Sequence, residues 1–438
     1  MFHANYDVIV VGAGISGLYT AREILKQNPK FSVAIAERYK GLGGRTYSYW
    51  PPEFPGVHWE MGAGRIRSDH KLLMGLIKDY GLTWVPIGDR VSFLGGPEHN
   101  GRGGSHLEPN TFESMMIPVY LEPLLQLDPS ILANTTLEKL MIQVYGAKKT
   151  AEVLTHFPYR GEVDTLRADI ALEGFVGKGE MSSHKGYGIL KEGFSELIAR
   201  LQDDCEARGL IVLNRHTLVD IDAVGGSKAT DLTFDFGGAK QPSGKITLRA
   251  EKGCVLALHR DALGELDVFK GWQTLRHLKT QPLLRCYAIF DPKSVWFKDL
   301  SRVVTPARPR YVLPMDVNSG TIMISYTDGS DARAYMACQK EDGDKGLEKM
   351  IMADIRKLFP DRTIPKPLFF RSHPWTTGCT YWLPGPYDPA TESRESIHPL
   401  PSTFPGVWLC GESWAMRQAW VEGALEQADV LLESINFD

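Results

Sequence analysis

The chain has 438 residues, 43% hydrophobic and 23% charged, a balance that supports a sizeable core and more than one ordinary domain. Its formal net charge of −4 excludes strong non-specific attraction to nucleic acid or acidic membranes. Six scattered cysteines without a CxxC pair or zinc-like spacing read as reduced thiols, and no apolar run approaches the roughly 18–20 residues of a membrane span. With only a short polar stretch before the first strand, a soluble, cytoplasmic protein is expected.

Tyr6 to Val11 is an apolar run suited to a buried parallel strand. Helical spacing follows from Ser16 to Lys26, with Leu18, Ala21 and Leu25 on one face, and Phe31 to Glu37 reads as a second strand that completes a βαβ unit. Ser68 to Gly81 reads as a helix closed by its glycine. A Gly-rich surface loop is expected from Leu94 to Gly104, and mainly helices from Pro118 to Leu172. Glu192 to Gly209 is an amphipathic helix, followed by strands at Leu210 to Leu213, Leu218 to Asp222, Leu232 to Phe236 and Lys245 to Arg249.

Gly253 to Leu258 is again a buried strand. Leu283 to Phe290, Arg310 to Pro314 and Thr321 to Tyr326 are expected antiparallel strands of a second sheet, with a helix over Lys345 to Phe359 after them. The last elements are a strand at Gly406 to Leu409 and a helix from Trp420 to Glu433. The expected fold class is α/β, a Rossmann-type dinucleotide-binding domain interleaved with an α+β substrate domain carrying an antiparallel sheet. The first is assigned to 1–70, 186–260 and 366–438. The second takes 71–185, mainly helical, and 261–365, the sheet.

Gly12, Gly14 and Gly17 form GAGISG between the first strand and the first helix. The first glycine allows the tight turn, the second lets backbone approach a pyrophosphate, and the third lets helix and strand pack closely. The helix start at Ile15 and Ser16 offers unpaired N–H groups and a positive dipole end to phosphates. Glu37, ending the second strand, has the spacing of a ribose-binding acid.

Gly43-Gly44-Arg45-Thr46 follows and resembles the GGR segment of FAD proteins of the amine-oxidase type, where Arg45 would supply charge to the pyrophosphate. Near the other end, Val407 to Leu409 runs into Gly411-Glu412 and then a helix. This resembles the closing segment of the same family, where a Gly–acid pair contacts the ribityl–phosphate part and a helix start faces the flavin. Together with Glu60 to Ile66, the Gly193-containing helix, Cys254 to Leu258 and the stretch from Trp375 onward, the chain resembles the flavin amine oxidases over nearly its full length. The resemblance implies bound FAD. Its implied binding residues are Gly12, Gly14, Ile15, Ser16, Gly17, Glu37, Arg38, Gly44, Arg45, Gly62, Ala63, Gly64, Arg65, Leu218, Gly411, Glu412, Trp420 and Val421.

Within that family, EMGAGRIRSDH resembles the L-amino-acid oxidases, where an arginine at the position of Arg65 holds the substrate carboxylate. A guanidinium fork matches a carboxylate in a bidentate way that lysine cannot. The other reading of Arg65 is a pairing with an acid or the cofactor. Trp420 matches the aromatic side chain beside the flavin, against a plain core role, and Tyr381 with Trp382 would form the opposite wall of an aromatic cage, against plain packing. Cys379 lies near where monoamine oxidases carry a covalent flavin link, but its spacing to Pro384-Gly385 is shorter, so covalent attachment is not the expectation. Two departures stand out. Arg285 occupies the place of the usual lysine that bonds through water toward flavin N5, and the carboxylate-binding tyrosine is matched only by Tyr311, two positions from Leu313.

The implied activity is oxidation of a substrate C–N bond, with hydride passing to flavin N5, hydrolysis of the imine, and oxygen as acceptor giving hydrogen peroxide. An amino-acid substrate is preferred, with Arg65, Arg285, Trp420 and Tyr381 as the catalytic set. The alternatives are a monoamine or polyamine oxidase without carboxylate recognition, or a flavoprotein dehydrogenase, desaturase or non-catalytic FAD-binding protein. The expected partners are the small-molecule amine or amino acid and molecular oxygen, with a homodimer left open and no nucleic acid or membrane. No metal is expected, since the twelve histidines show no HExxH or paired ligand spacing.

Overall fold

A computed structural model describes residues 5–88, 91–94, 107–109, 112–177, 186–238 and 241–437. Five parallel strands form its first sheet, in the order Ile211–Asn214, Val33–Glu37, Val8–Val11, Cys254–Leu256 and Val407–Leu409. The apolar runs of the first two strands have a direct cause, because both faces of the sheet are covered. Val8, Val10, Val33 and Ile35 point into a core with Leu18, Ala21, Leu25, Leu197 and Leu425 of three helices. Their neighbours Ile9, Val11, Ala34 and Ala36 point the other way, into a core with Ile221, Leu232, Phe234 and Leu248. Those last residues belong to a four-stranded sheet ordered Asn5–Tyr6, Gln241–Ala250, Thr230–Gly238 and His216–Ala223.

A seven-stranded sheet carries the order Phe369–Trp382, Leu278–Ile289, Thr321–Asp328, Tyr311–Asp316, Arg302–Val304, Val91–Leu94 and Leu107–Pro109. Its pairings are antiparallel except for Arg302–Val304 against Val91–Leu94. One face buries Leu284, Cys286 and Ala288 against Tyr335, Leu347, Ile351 and Ile355 of the helical segment Gly329–Leu358. Short helices between residues 129 and 175 cover part of the rest, two of them capped by Asp128 and Thr136 accepting from the first turn. Among the described residues no helix is long and apolar enough to cross a membrane.

Two elements depart from expectation. The helix expected over 345–359 begins at Gly329 and is broken at Gly343, which has φ 69°. Its first half is rich in small and acidic residues and lacks an apolar stripe, yet Ala332 and Tyr335 are buried on the sheet. Phe369–Trp382 is a 14-residue strand although it contains Pro374 and Gly378. It lies at the sheet edge, where proline removes no ladder bond on the outer side. Most of the Gly-rich loop expected from Leu94 to Gly104 lies outside the described residues.

Candidate active site

All five parallel strands deliver their carboxyl ends to one cavity of about 720 Å³. Gly12 follows the first strand, Arg38 the second, His216 to Leu218 the edge strand, Ala257 to His259 the fourth, and Gly411 and Glu412 the last. A crevice outside the carboxyl ends of parallel strands is where open α/β sheets bind ligands. Here the strands demand it sterically. Gly12 has φ 99°, and a Cβ there would sit 2.5 Å from the Ala257 carbonyl oxygen. Gly17 serves packing alone: its Cβ would meet the Gly12 carbonyl at 1.9 Å, and it does not line the cavity. Gly14 is the reverse case, with no protein atom within 4 Å of its would-be Cβ. It is the N-cap of Ile15–Gln27, which has no side-chain cap and no acid in its first turn. An open, uncapped helix start lined by glycine fits a diphosphate.

The acids of the cavity also hold its loops. Glu37 accepts the N–H of Ala13 at 2.9 Å and of Tyr39 at 2.9 Å. A carboxylate has about four acceptor sites, so a ribose hydroxyl remains within its capacity. Arg45, expected to serve a pyrophosphate, lines the cavity and donates through Nη1 to Glu412 at 2.8 Å and to the Gly378 carbonyl at 3.1 Å. Glu412 in turn accepts from the N–H groups of Thr380 at 3.0 Å and Ala419 at 2.8 Å. His259 lines the same wall as a neutral imidazole, its pKa lowered to about 4 by burial and then by Arg45.

The profile of the family described as Flavin containing amine oxidoreductase matches residues 15–429. The chain belongs to that family. FAD is its cofactor, and the protein is an FAD-dependent amine oxidase. Aplysianin-A from Aplysia kurodai is 22% identical over 514 aligned positions, covering 98% of this chain and 89% of that one. (S)-6-Hydroxynicotine oxidase from Paenarthrobacter nicotinovorans is 36% identical over 89 residues, 20% of each chain, so this match spans only a fifth of that relative. Among solved structures, putrescine oxidase bound to putrescine superimposes with a TM-score of 0.72 at 16% identity, covering 99% of both chains. That likeness is one of fold.

Away from the glycine loops, the amine oxidase cavity is walled by Arg65, Tyr159, Glu162, Arg285, Tyr326, Asp328, Tyr381 and Trp420. Arg65 donates to the Tyr159 hydroxyl at 2.8 Å, and its guanidinium carbon lies 5.4, 5.3 and 5.8 Å from the ring centres of Tyr159, Tyr187 and Trp420. Among the described residues no carboxylate lies within ion-pair distance of it. Arg285 stacks on Tyr326 at 4.3 Å, its partner across the strand pair, and its Nε has no hydrogen-bond partner among the described residues. Trp420 is the N-cap of Val421–Ser434 and packs edge-on to His70, with Tyr187 stacked beyond. Tyr381 and Cys379 share the strand Phe369–Trp382. Burial, followed by the Glu412 charge, pushes the Cys379 thiol well up, so it is protonated and a poor nucleophile.

All of the residues expected at the cofactor except Gly17 line this one cavity, as do Arg285 and Tyr381. Tyr311 does not line it. It packs 6.2 Å from Tyr159, whose hydroxyl is the one that reaches Arg65. The residues missed are Tyr159, Tyr326 and the acid pair Glu162 and Asp328. Asp328 accepts the N–H groups of Arg160 at 2.7 Å and Gly161 at 2.8 Å. Burial raises the pKa of both acids, and in Glu162 the nearby Asp328 adds to the rise. Neither sits in a motif, because a strand of the seven-stranded sheet and a one-turn helix far apart in sequence bring them together.

Proposed function

We propose that the protein oxidises the amine-bearing carbon of an α-amino acid. The observation that carries this reading is Arg65, a cation at the cavity wall with rings around it and, among the described residues, no carboxylate within ion-pair distance. A bare guanidinium in that setting matches an external carboxylate in a bidentate fork. FAD, held by the glycine loop, Glu37 and the closing Gly411-Glu412 segment, supplies the hydride-accepting ring. Arg65 then fixes the carboxylate, while Trp420 and Tyr381 confine the amine-bearing carbon and exclude water. Arg285 keeps a fixed positive charge in the same wall and is no proton carrier near neutral pH.

The test is anaerobic bleaching of the bound flavin by the common L-amino acids and by their decarboxylated amines. Wild type is expected to bleach with amino acids at far lower concentration than with the amines. Arg65→Ala should lose that preference, since an unpaired charged contact is worth about 3 kcal/mol, or roughly 100-fold in concentration. Equal bleaching of wild type by an amino acid and its amine would overturn the carboxylate role.

A further inference from the structure

We infer that Glu162 receives the ammonium group of the substrate and takes its proton, leaving the neutral amine that oxidation requires. The inference rests on the amino-acid reading above. Glu162 stands on the short helix Gly161–Asp164 and lines the cavity with Arg65 and Tyr381. Its Oε2 is sealed from solvent and has no hydrogen-bond partner among the described residues. Buried polar atoms are ordinarily paired, and an orphaned carboxylate oxygen on a ligand cavity points to a partner that the ligand brings.

Among the described residues Asp328 is the acid beside it in that wall, and it is unsuited to the task. Both of its oxygens are committed to the backbone of Arg160 and Gly161, which anchors the short helix. Gly161 itself admits no side chain, since a Cβ would lie 2.5 Å from the Tyr381 ring and 2.9 Å from Asp328. The helix is thus pinned, and Glu162 Oε2 is left without a hydrogen-bond partner among the described residues. The titratable groups facing Glu162 are Tyr381 and Cys379 from the strand Phe369–Trp382, Asp328 from Thr321–Asp328, and Arg65 from a loop. Asp328 favours its protonated form, and Arg65 and the Tyr381 hydroxyl favour the ionised form.

Oxidation of the carbon draws on the nitrogen lone pair, which an ammonium lacks. In the step proposed, one N–H bond breaks, an O–H bond forms at Glu162 Oε2, and the electron pair stays on nitrogen. A cation and an anion become two neutral groups, an exchange that a water-poor cavity favours. Burial raises the carboxyl toward the range of an amine, which improves the match between donor and acceptor.

The experiment follows the rate of anaerobic flavin reduction against pH, using the fastest amino acid of the bleaching panel at saturation. In wild type the acidic limb should fall below the pKa of the free ammonium. In Glu162→Gln it should move up to that pKa, slowing reduction at pH 7 by about tenfold for each unit moved, while the two rates converge at high pH. A merely structural role would lower the rate at every pH alike, and that result, or an unmoved limb, overturns the proposal. If the variant fails to retain flavin, the wild-type limb decides: below the ammonium pKa it supports the step, and at that pKa it refutes it. Wild type that no amino acid reduces at any pH would instead remove the amino-acid reading.

Discussion

Glu412→Ala removes a carboxylate that ties three segments of the cofactor cavity together. One oxygen holds Arg45 of the glycine loop, and the other holds the N–H groups of Thr380 and Ala419. Ala419 has φ 64°, the left-handed region that a Cβ disfavours by about 1–2 kcal/mol, so its conformation depends on such a tether. Two orphaned backbone donors would cost about 1–3 kcal/mol each. Arg45 is 28% exposed against 7% for Glu412, so its charge regains water and adds only the lower part of a broken pair. The expected loss of stability is about 3–5 kcal/mol for Glu412→Ala. Glu412→Gln keeps one acceptor oxygen for the two N–H groups and loses the ion pair alone, for about 1–2 kcal/mol. Urea unfolding of the FAD-loaded protein measures both, and the fluorescence of released flavin reports the cavity. A loss below about 1 kcal/mol for alanine, or a glutamine variant as weak as alanine, would show that the backbone tether is not what Glu412 contributes.

Two further substitutions separate the cavity from the fold. Gly12→Ala should give misfolded or colourless protein, because its Cβ would overlap the Ala257 carbonyl, whereas Gly14→Ala should fold with apoprotein stability changed by under about 0.5 kcal/mol. The Gly14 variant should still bind FAD at least about tenfold more weakly by fluorescence titration; unchanged affinity would show that no phosphate approaches there. Glu60 tests the pH dependence of stability. Burial raises its pKa from 4.5 to about 7, opposed by the Phe194 N–H, Ser48 and Arg285. The folded protein therefore binds this proton more tightly than the unfolded chain, and stability falls as pH rises from 4.5 to about 7. Glu60→Gln should flatten that part of the stability–pH curve and gain about 1–3 kcal/mol on wild type at pH 8; parallel curves would place the titration elsewhere.

How far the sequence alone reaches follows from the range of the forces involved. The glycine loop was legible because its demands are local: a turn at Gly12, an open approach at Gly14 and a close contact at Gly17 lie within six residues. Glu37 and Glu412 were legible as ends of strands whose apolar runs are dictated by a sheet covered on both faces. What sequence could not disclose was the bonding of these acids to the cavity's own loops. Glu412 reads as a cofactor contact, yet its two oxygens already close the loops at Arg45, Thr380 and Ala419.

The proposed substrate end is legible only where one segment supplies a cavity-lining residue, as with Arg65 and Trp420. Glu162 meets Asp328 across 166 positions, through a register that sets Leu283 opposite Asp328 and a glycine that lets helix and sheet touch. No spacing rule spans such a distance. The same geometry explains why Tyr159, in a loop, supplies the hydroxyl that reaches Arg65 while the strand residue Tyr311 packs behind it: strand alternation predicts a shared face, but the hydroxyl that arrives depends on how the helices fold over the sheet. A site assembled from both sheets can thus keep its cofactor half fixed by local motif while its substrate half varies through long-range contacts. On that argument, changes in substrate preference belong among Tyr159, Glu162 and Tyr326 and should leave flavin binding untouched.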